Sequence, residues 1–148
     1  MSKTLSFRGQ LPIGIQERIK LSTKDGKTGY KITKFQILSS TPGSGDVEFI
    51  GQIYKTNRTS NINTTPDFSN GNLLAAVYYQ DDSSISHSSS MDIIFDNEIF
   101  NQDIFVNISD AAGGTKPCNY YIELEVMSLT DIQSTQLTLK SLKNIASR

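Results

Sequence analysis

The feature that most constrains this chain is apolar alternation with a period of two. Successive side chains of a strand point to opposite faces, so this spacing marks half-buried β-strands rather than helices. The cleanest run sets Tyr120, Ile122, Leu124 and Val126 against Tyr121, Glu123 and Glu125. One face is apolar; the other is acidic and suited to solvent. Val47, Phe49, Gly51 and Ile53 alternate within 46–54. Across 102–109, Ile104, Val106 and Ile108 share one side, with Phe105 and Asn107 on the other. Residues 73–79 form a continuous apolar run, as a strand buried on both faces does, and 91–95 read as a further strand. Leu11, Ile13 and Ile15 alternate near the start, and Ile19 and Leu21 continue the same face. Pro12 and Gly14 mark that segment as an edge or an extended arm.

The pattern is interrupted in informative places. Within 29–39, Tyr30 and Ile32 are even-numbered while Phe35 and Ile37 are odd-numbered. Either a β-bulge near Thr33-Lys34 inserts one residue, or the two sets face opposite sheet surfaces. Asp25-Gly26 predicts a tight turn with a positive φ. The turn at 41–45 predicts an antiparallel hairpin between 29–39 and 46–54. Another turn falls at 110–114. Two long polar stretches, 55–72 and 80–90, lack periodicity. A loop as long as the first is functional, packed as an Ω-loop, or mobile.

At the C-terminus, Thr130 followed by Asp131 resembles a helix start. Ile132, Leu139, Leu142 and Ile145 would share one helical face, with Lys140, Lys143 and Arg148 complementing the dipole. Thr135 and Leu137 to Leu139 leave a strand open; a helix is favoured. The chain shows no internal repeat. The expected fold is mostly β: an antiparallel sandwich or jelly-roll-like domain over 13–128. An extended N-terminal arm over 1–12 and a C-terminal helix over 129–148 complete it.

With 148 residues the chain can fill one core without metal or disulfide. Fourteen basic and 15 acidic residues give a net charge of −1. That balance predicts no phosphate-driven binding of nucleic acid and does little to oppose self-association. Cys118 is the sole cysteine, which excludes an intramolecular disulfide and a Cys-rich metal site and suits synthesis in a reducing compartment. Residues 1–10 lack the apolar region of a secretory signal, and no stretch approaches the ~20 apolar residues of a membrane span.

A search for chemistry is mostly negative. His87 sits in a Ser-rich, low-complexity loop, a poor place to hold the geometry of a Ser-His-Asp triad, and no Gly-x-Ser-x-Gly elbow presents a serine. Cys118 directly precedes an amphipathic strand and reads as a structural thiol rather than a nucleophile, despite nearby Lys116. Asp81, Asp82, Asp92, Asp96 and Asp103 are the acidic concentration, without EF-hand spacing. Gly43-x-Gly45 lacks the rest of a dinucleotide fingerprint. The sequons at Asn57, Asn63 and Asn107 are of the kind that arise by chance in so Asn/Ser/Thr-rich a chain. Tyr78-Tyr79 and Tyr120-Tyr121 each place one ring in the core and one outside, where it stacks on a sugar, anchors a partner or packs across strands. The expectation is no catalytic, cofactor or metal site, and no enzyme.

Three stretches together carry a resemblance. They are 5–12 running into 18–21 (Leu5-Ser6-Phe7-Arg8-Gly9-Gln10-Leu11-Pro12 and Arg18-Ile19-Lys20-Leu21), 29–35 (Gly29-Tyr30-Lys31-Ile32-Thr33-Lys34-Phe35), and 94–106 (Ile94 to Val106) with 118–125 (Cys118 to Glu125). The chain resembles small virion-associated proteins of tailed phages infecting marine bacteria. The resemblance implies a structural role and carries no catalytic residue. It implies capsid decoration or cement, binding the major capsid protein or other virion proteins, or a neck or tail component. The place would be the virion, after synthesis in the host cytoplasm. A closed homo-oligomer, a trimer first, is expected. The alternative is a carbohydrate- or receptor-binding module, with loops 55–72 and 80–90 and outward Tyr79 or Tyr121 at its recognition end. The absence of Trp weighs against it.

Overall fold

The computed structural model describes residues 3–43, 46–58, 62–81, 89–95 and 98–147. Eight strands precede one helix: β1 (Lys3–Leu11), β2 (Gln16–Ile19), β3 (Thr28–Ser39), β4 (Val47–Tyr54), β5 (Leu73–Asp81), β6 (Ser89–Ile94), β7 (Ile104–Asp110), β8 (Cys118–Ser128) and α1 (Asp131–Ser147). They form two antiparallel sheets, ordered β1-β8-β3 and β2-β7-β4-β5-β6. The sheets share one core. Phe35, Ile37, Tyr120, Ile122 and Leu124 of the smaller meet Phe49, Ile53, Val77, Val106 and Ile108 of the larger. At Gly51 an added Cβ would lie 2.9 Å from Val77 of the same sheet and 3.0 Å from Phe35 of the other. Any side chain there would overpack the centre.

The alternation predicted for 46–54, 102–109 and 118–126 is realised in β4, β7 and β8. Because β8 lies between β1 and β3, its outer residues Tyr121, Glu123 and Glu125 are half-buried rather than solvated. The bulge is present: the β3–β8 register shifts between Ile32 and Lys34, so Tyr30, Ile32, Phe35 and Ile37 all reach the core. β5 is buried on both faces, as its composition predicted. Gly26 adopts φ +66° in the expected turn.

Three expectations are corrected. Residues 3–11 are not an arm; β1 pairs with β8 over nine positions, from Lys3↔Val126 to Leu11↔Cys118. Its Leu5 and Phe7 pack against the core, which holds the strand down. β3 and β4 do not form a hairpin. β3 pairs with β8 and β4 with β5 and β7, so the turn between them crosses from one sheet to the other. Gly43 has the positive φ of a turn, +79°, while 44 and 45 lie outside the described residues; local composition says nothing of which sheet follows.

The helix is formed, but its predicted apolar face is not the docked one. Thr130 and Gln133 close a reciprocal capping box: the Gln133 N–H donates to Thr130 Oγ1 at 3.2 Å, and the Thr130 N–H donates to Gln133 Oε1 at 3.0 Å. Ile132 and Leu139 are 72% and 60% exposed, whereas Ser134 is buried. A polar contact sets that rotation. Buried Asn101 donates from Nδ2 to the Gly26 carbonyl at 2.9 Å and to Thr138 Oγ1 at 3.1 Å, so the Ser134/Thr138 side faces the domain. Among the described residues no basic side chain sits in the last turn; Leu142, Lys143 and Ile145 lie outside the described side chains, and Arg148 outside the described residues.

Within 55–72 the described residues, 55–58 and 62–72, are anchored to the domain, and 59–61 lie outside the described residues. The base of this loop closes through the Lys55 N–H donating to the Asn72 carbonyl at 2.8 Å. It lies against the outer face of the larger sheet, where Gln52 Nε2 and Ser109 Oγ both donate to the Asn63 carbonyl, at 2.9 and 2.7 Å. Gln16 of β2 holds Asn57 and the Arg58 N–H, and the Arg58 guanidinium stacks over Tyr54 at 4.4 Å. This is the Ω-loop reading of that segment.

Candidate functional site

Among the described residues, the site residues considered from sequence do not converge. His87 lies outside the described residues. Cys118 is fully buried in the core; its thiol is 3.6 Å from the Leu38 carbonyl, and burial pushes its pKa up to about 12. A thiol so hard to ionise is a poor nucleophile at neutral pH.

Of the acidic residues described, Asp81 and Asp103 have separate tasks. Asp81 accepts the Gly43 N–H at 2.5 Å and fastens the sheet-crossing turn. Asp103 accepts the N–H groups of Leu21 and Ser22, at 2.7 and 2.9 Å, and pairs with Arg18 at 2.5 Å. Burial pushes this carboxyl up, but the bonds from Ser22, Leu21 and Arg18 outweigh it and hold the group below its ordinary range. Asp92 is exposed on β6. Asp82 and Asp96 lie outside the described residues. Among the described residues no group of three or more His, Cys, Asp or Glu is placed to hold a metal ion. No helix among them is long and apolar enough to cross a membrane. The sequon residue Asn107 is 1% exposed, beyond reach of modification in the folded chain.

The tyrosine pairs behave as strand geometry requires. Tyr79 is 3% exposed and stacks on Phe49 at 6.2 Å, so it is a core ring and not an outward platform; Tyr78 is the partly exposed member. Tyr120 points inward and donates to Glu17 Oε2 at 2.6 Å, joining the two sheets. Burial, then the hydrogen bond to Glu17, pushes its phenol strongly upward. Tyr121 is half-buried, with its hydroxyl 2.7 Å from Glu123 Oε1, which fixes the ring.

Tyr121 also lines a sizeable cleft of about 670 Å³. Sequence reasoning missed this site because five strands build it. Arg8 comes from β1, Asn119 and Tyr121 from β8, Phe35 to Leu38 from β3, Val77 from β5, and Met91 and Asp92 from β6. The cleft lies where β3, an edge of the smaller sheet, passes β6, an edge of the larger. Its volume is that of a ligand site, and its lining mixes apolar walls with a few polar groups.

Beside it, β6 carries its apolar side outward. Met91 is 63% and Ile93 39% exposed, and Phe95 just beyond meets Phe68 edge-on at 5.2 Å, with Phe68 itself 50% exposed. Large apolar side chains gathered at a sheet edge mark an interaction surface. The recognisable signal was the odd-numbered series Met91, Ile93 and Phe95; its outward direction depends on pairing with β5, which local pattern does not specify. No family model matches the chain, and no curated protein matches it.

Proposed function

We propose that this chain is a non-enzymatic structural protein of a tailed-phage virion, a capsid decoration or cement protein that binds between major capsid protein subunits. The observation that carries this reading is the pair of outward apolar residues Met91 and Ile93 on the edge strand β6, joined by exposed Phe68, which packs on Phe95 just beyond the strand. Solvent exposure of that surface is unfavourable by roughly 25 cal/mol for each Å² of apolar area, and a partner protein relieves it. A neck or tail position would use the same surface.

The strand order supports a jelly-roll reading of the fold. Seven of the eight strands have the neighbours of an eight-strand jelly roll, β1-β8-β3 opposite β2-β7-β4-β5; β6 pairs with β5 in place of β3, which leaves the β3 edge open. Such domains assemble in closed rings, and a trimer is the first expectation.

The test is light scattering of the purified protein together with cosedimentation with isolated capsid particles on a density gradient. A closed oligomer that travels with the particles supports the reading. A monomer that remains at the top of the gradient overturns it.

A further inference from the structure

We propose that the unpaired edge of β3 is an acceptor for an extended segment of a partner protein, which adds to the smaller sheet as a further strand. This rests on the assembly reading above and specifies its mode of attachment.

The argument starts from the mismatch between the sheets. The smaller sheet ends at β3, while the larger continues past β5 to β6. β3 is paired with β8 on one side. On its other side it makes a bridge at Tyr30↔Phe100, and among the described residues no backbone hydrogen bond reaches that edge over 33–39. Unpaired N–H and C=O groups in a row are a template for another strand.

Phe35, Gln36, Ile37 and Leu38 all line the cleft. Consecutive residues of a strand point to opposite faces, so four in succession mean that the strand's edge itself forms the wall. At roughly 3.3 Å per residue this wall matches four to six residues of an extended occupant. When a strand is added to a sheet edge, main-chain hydrogen bonds provide affinity and the pockets for alternate side chains provide selectivity.

The flanking chemistry selects the segment. Leu38 and Met91, 49% and 63% exposed, present apolar surface on either side of the groove. Asp92 stands beside them on β6 and has no ion pair among the described residues. Arg8 also lines the cleft, but its strand lies two positions from the β3 edge, whereas Asp92 is carried by the strand that passes that edge. The favoured occupant is a strand-forming segment with alternating apolar residues and a basic residue opposite Asp92.

The experiment uses the full chain and two capped hexapeptides: threonine-valine-lysine-valine-threonine-valine, and the same peptide with glutamate replacing lysine. Amide hydrogen exchange and titration by NMR are the measurements. The lysine peptide is expected to slow exchange over 35–38 at least about tenfold and to bind about tenfold more tightly than the glutamate peptide. Asp92→Lys should reverse that preference, and Leu38→Asp should weaken both peptides. Both positions are exposed, and circular dichroism checks that the variants fold.

Several results would overturn the proposal. One is no protection of 35–38 by either peptide at millimolar concentration. Another is protection already present without peptide, with β6 or a second copy found against β3. A third is protection by a neutral oligosaccharide but by neither peptide. Cosedimentation with capsids while peptide binding is absent overturns strand addition and leaves the assembly reading standing. Peptide binding without cosedimentation overturns the assembly reading instead.

Discussion

On the side of the molecule where β2 flanks β7, side-chain hydrogen bonds and an ion pair join separate strands; on the side where β3 passes β6, none among the described residues joins those two strands. At the first, Asp103 gathers Arg18, Leu21 and Ser22, Tyr120 bridges to Glu17, and Gln16 holds the loop at 57–58. At the second, two strand edges face a cleft, apolar side chains are exposed, and Asp92 has no ion pair among the described residues. The difference separates two uses of polar chemistry. Where carboxylates and amides are satisfied internally, they maintain the fold. Where strand edges and apolar side chains are left open, surface is available for a partner.

This contrast can be broken by mutation, and the largest effect belongs to the braced side. Asp103→Ala removes acceptors from two backbone N–H groups and from Arg18, and should cost about 2–4 kcal/mol. For a domain of this size that lowers Tm by roughly 5–15 °C in a thermal melt followed by circular dichroism. Acid tests the same group. Its folded pKa is depressed, so its contribution is complete above the unfolded value of about 3.9 and is lost as pH falls through the lower folded value. Urea unfolding across that range should show the acid loss in the parent chain and a flatter profile in Asp103→Asn.

A smaller effect is expected at Asn101, which links helix and domain. Asn101→Ala should cost about 1–3 kcal/mol, because the Gly26 carbonyl and the Thr138 hydroxyl lose a buried donor. Hydrogen exchange should accelerate in α1 well before it does in β4. The smallest effect on stability belongs to the open side. Met91→Ser should change unfolding free energy by less than about 0.5 kcal/mol, while weakening self-association or capsid adsorption by light scattering and sedimentation. If Met91→Ser destabilised the fold as much as Asp103→Ala, the distinction between braced and open sides would collapse.

What could be read from sequence divides along the same physical line. β4, β7, β8 and the bulge at Thr33 were legible because each follows from alternation within one strand. The Asp25-Gly26 turn and the start of the helix at Thr130 were legible because their chemistry is local. Pairing was not. Lys3 to Leu11 reads as an arm until β8, more than a hundred residues away, supplies its partner. The helix was read with Ile132 and Leu139 inward, because apolar spacing cannot anticipate a buried amide at Asn101 turning Ser134 and Thr138 toward the domain. The cleft was invisible for the same reason as the arm: its walls come from five strands that only topology brings together.

The pairing of β1 with β8 also sets an order of events during synthesis. β1 is made before every other strand, and β8, its strand partner among the described residues, after all the others. Until then the edge of β1 is unmatched and the smaller sheet cannot close, since β8 lies between its other two members. Contacts of such wide sequence separation slow folding, because loop-closure entropy is lost before the contacts are gained. The smaller sheet should therefore close last, with the larger sheet assembling ahead of it.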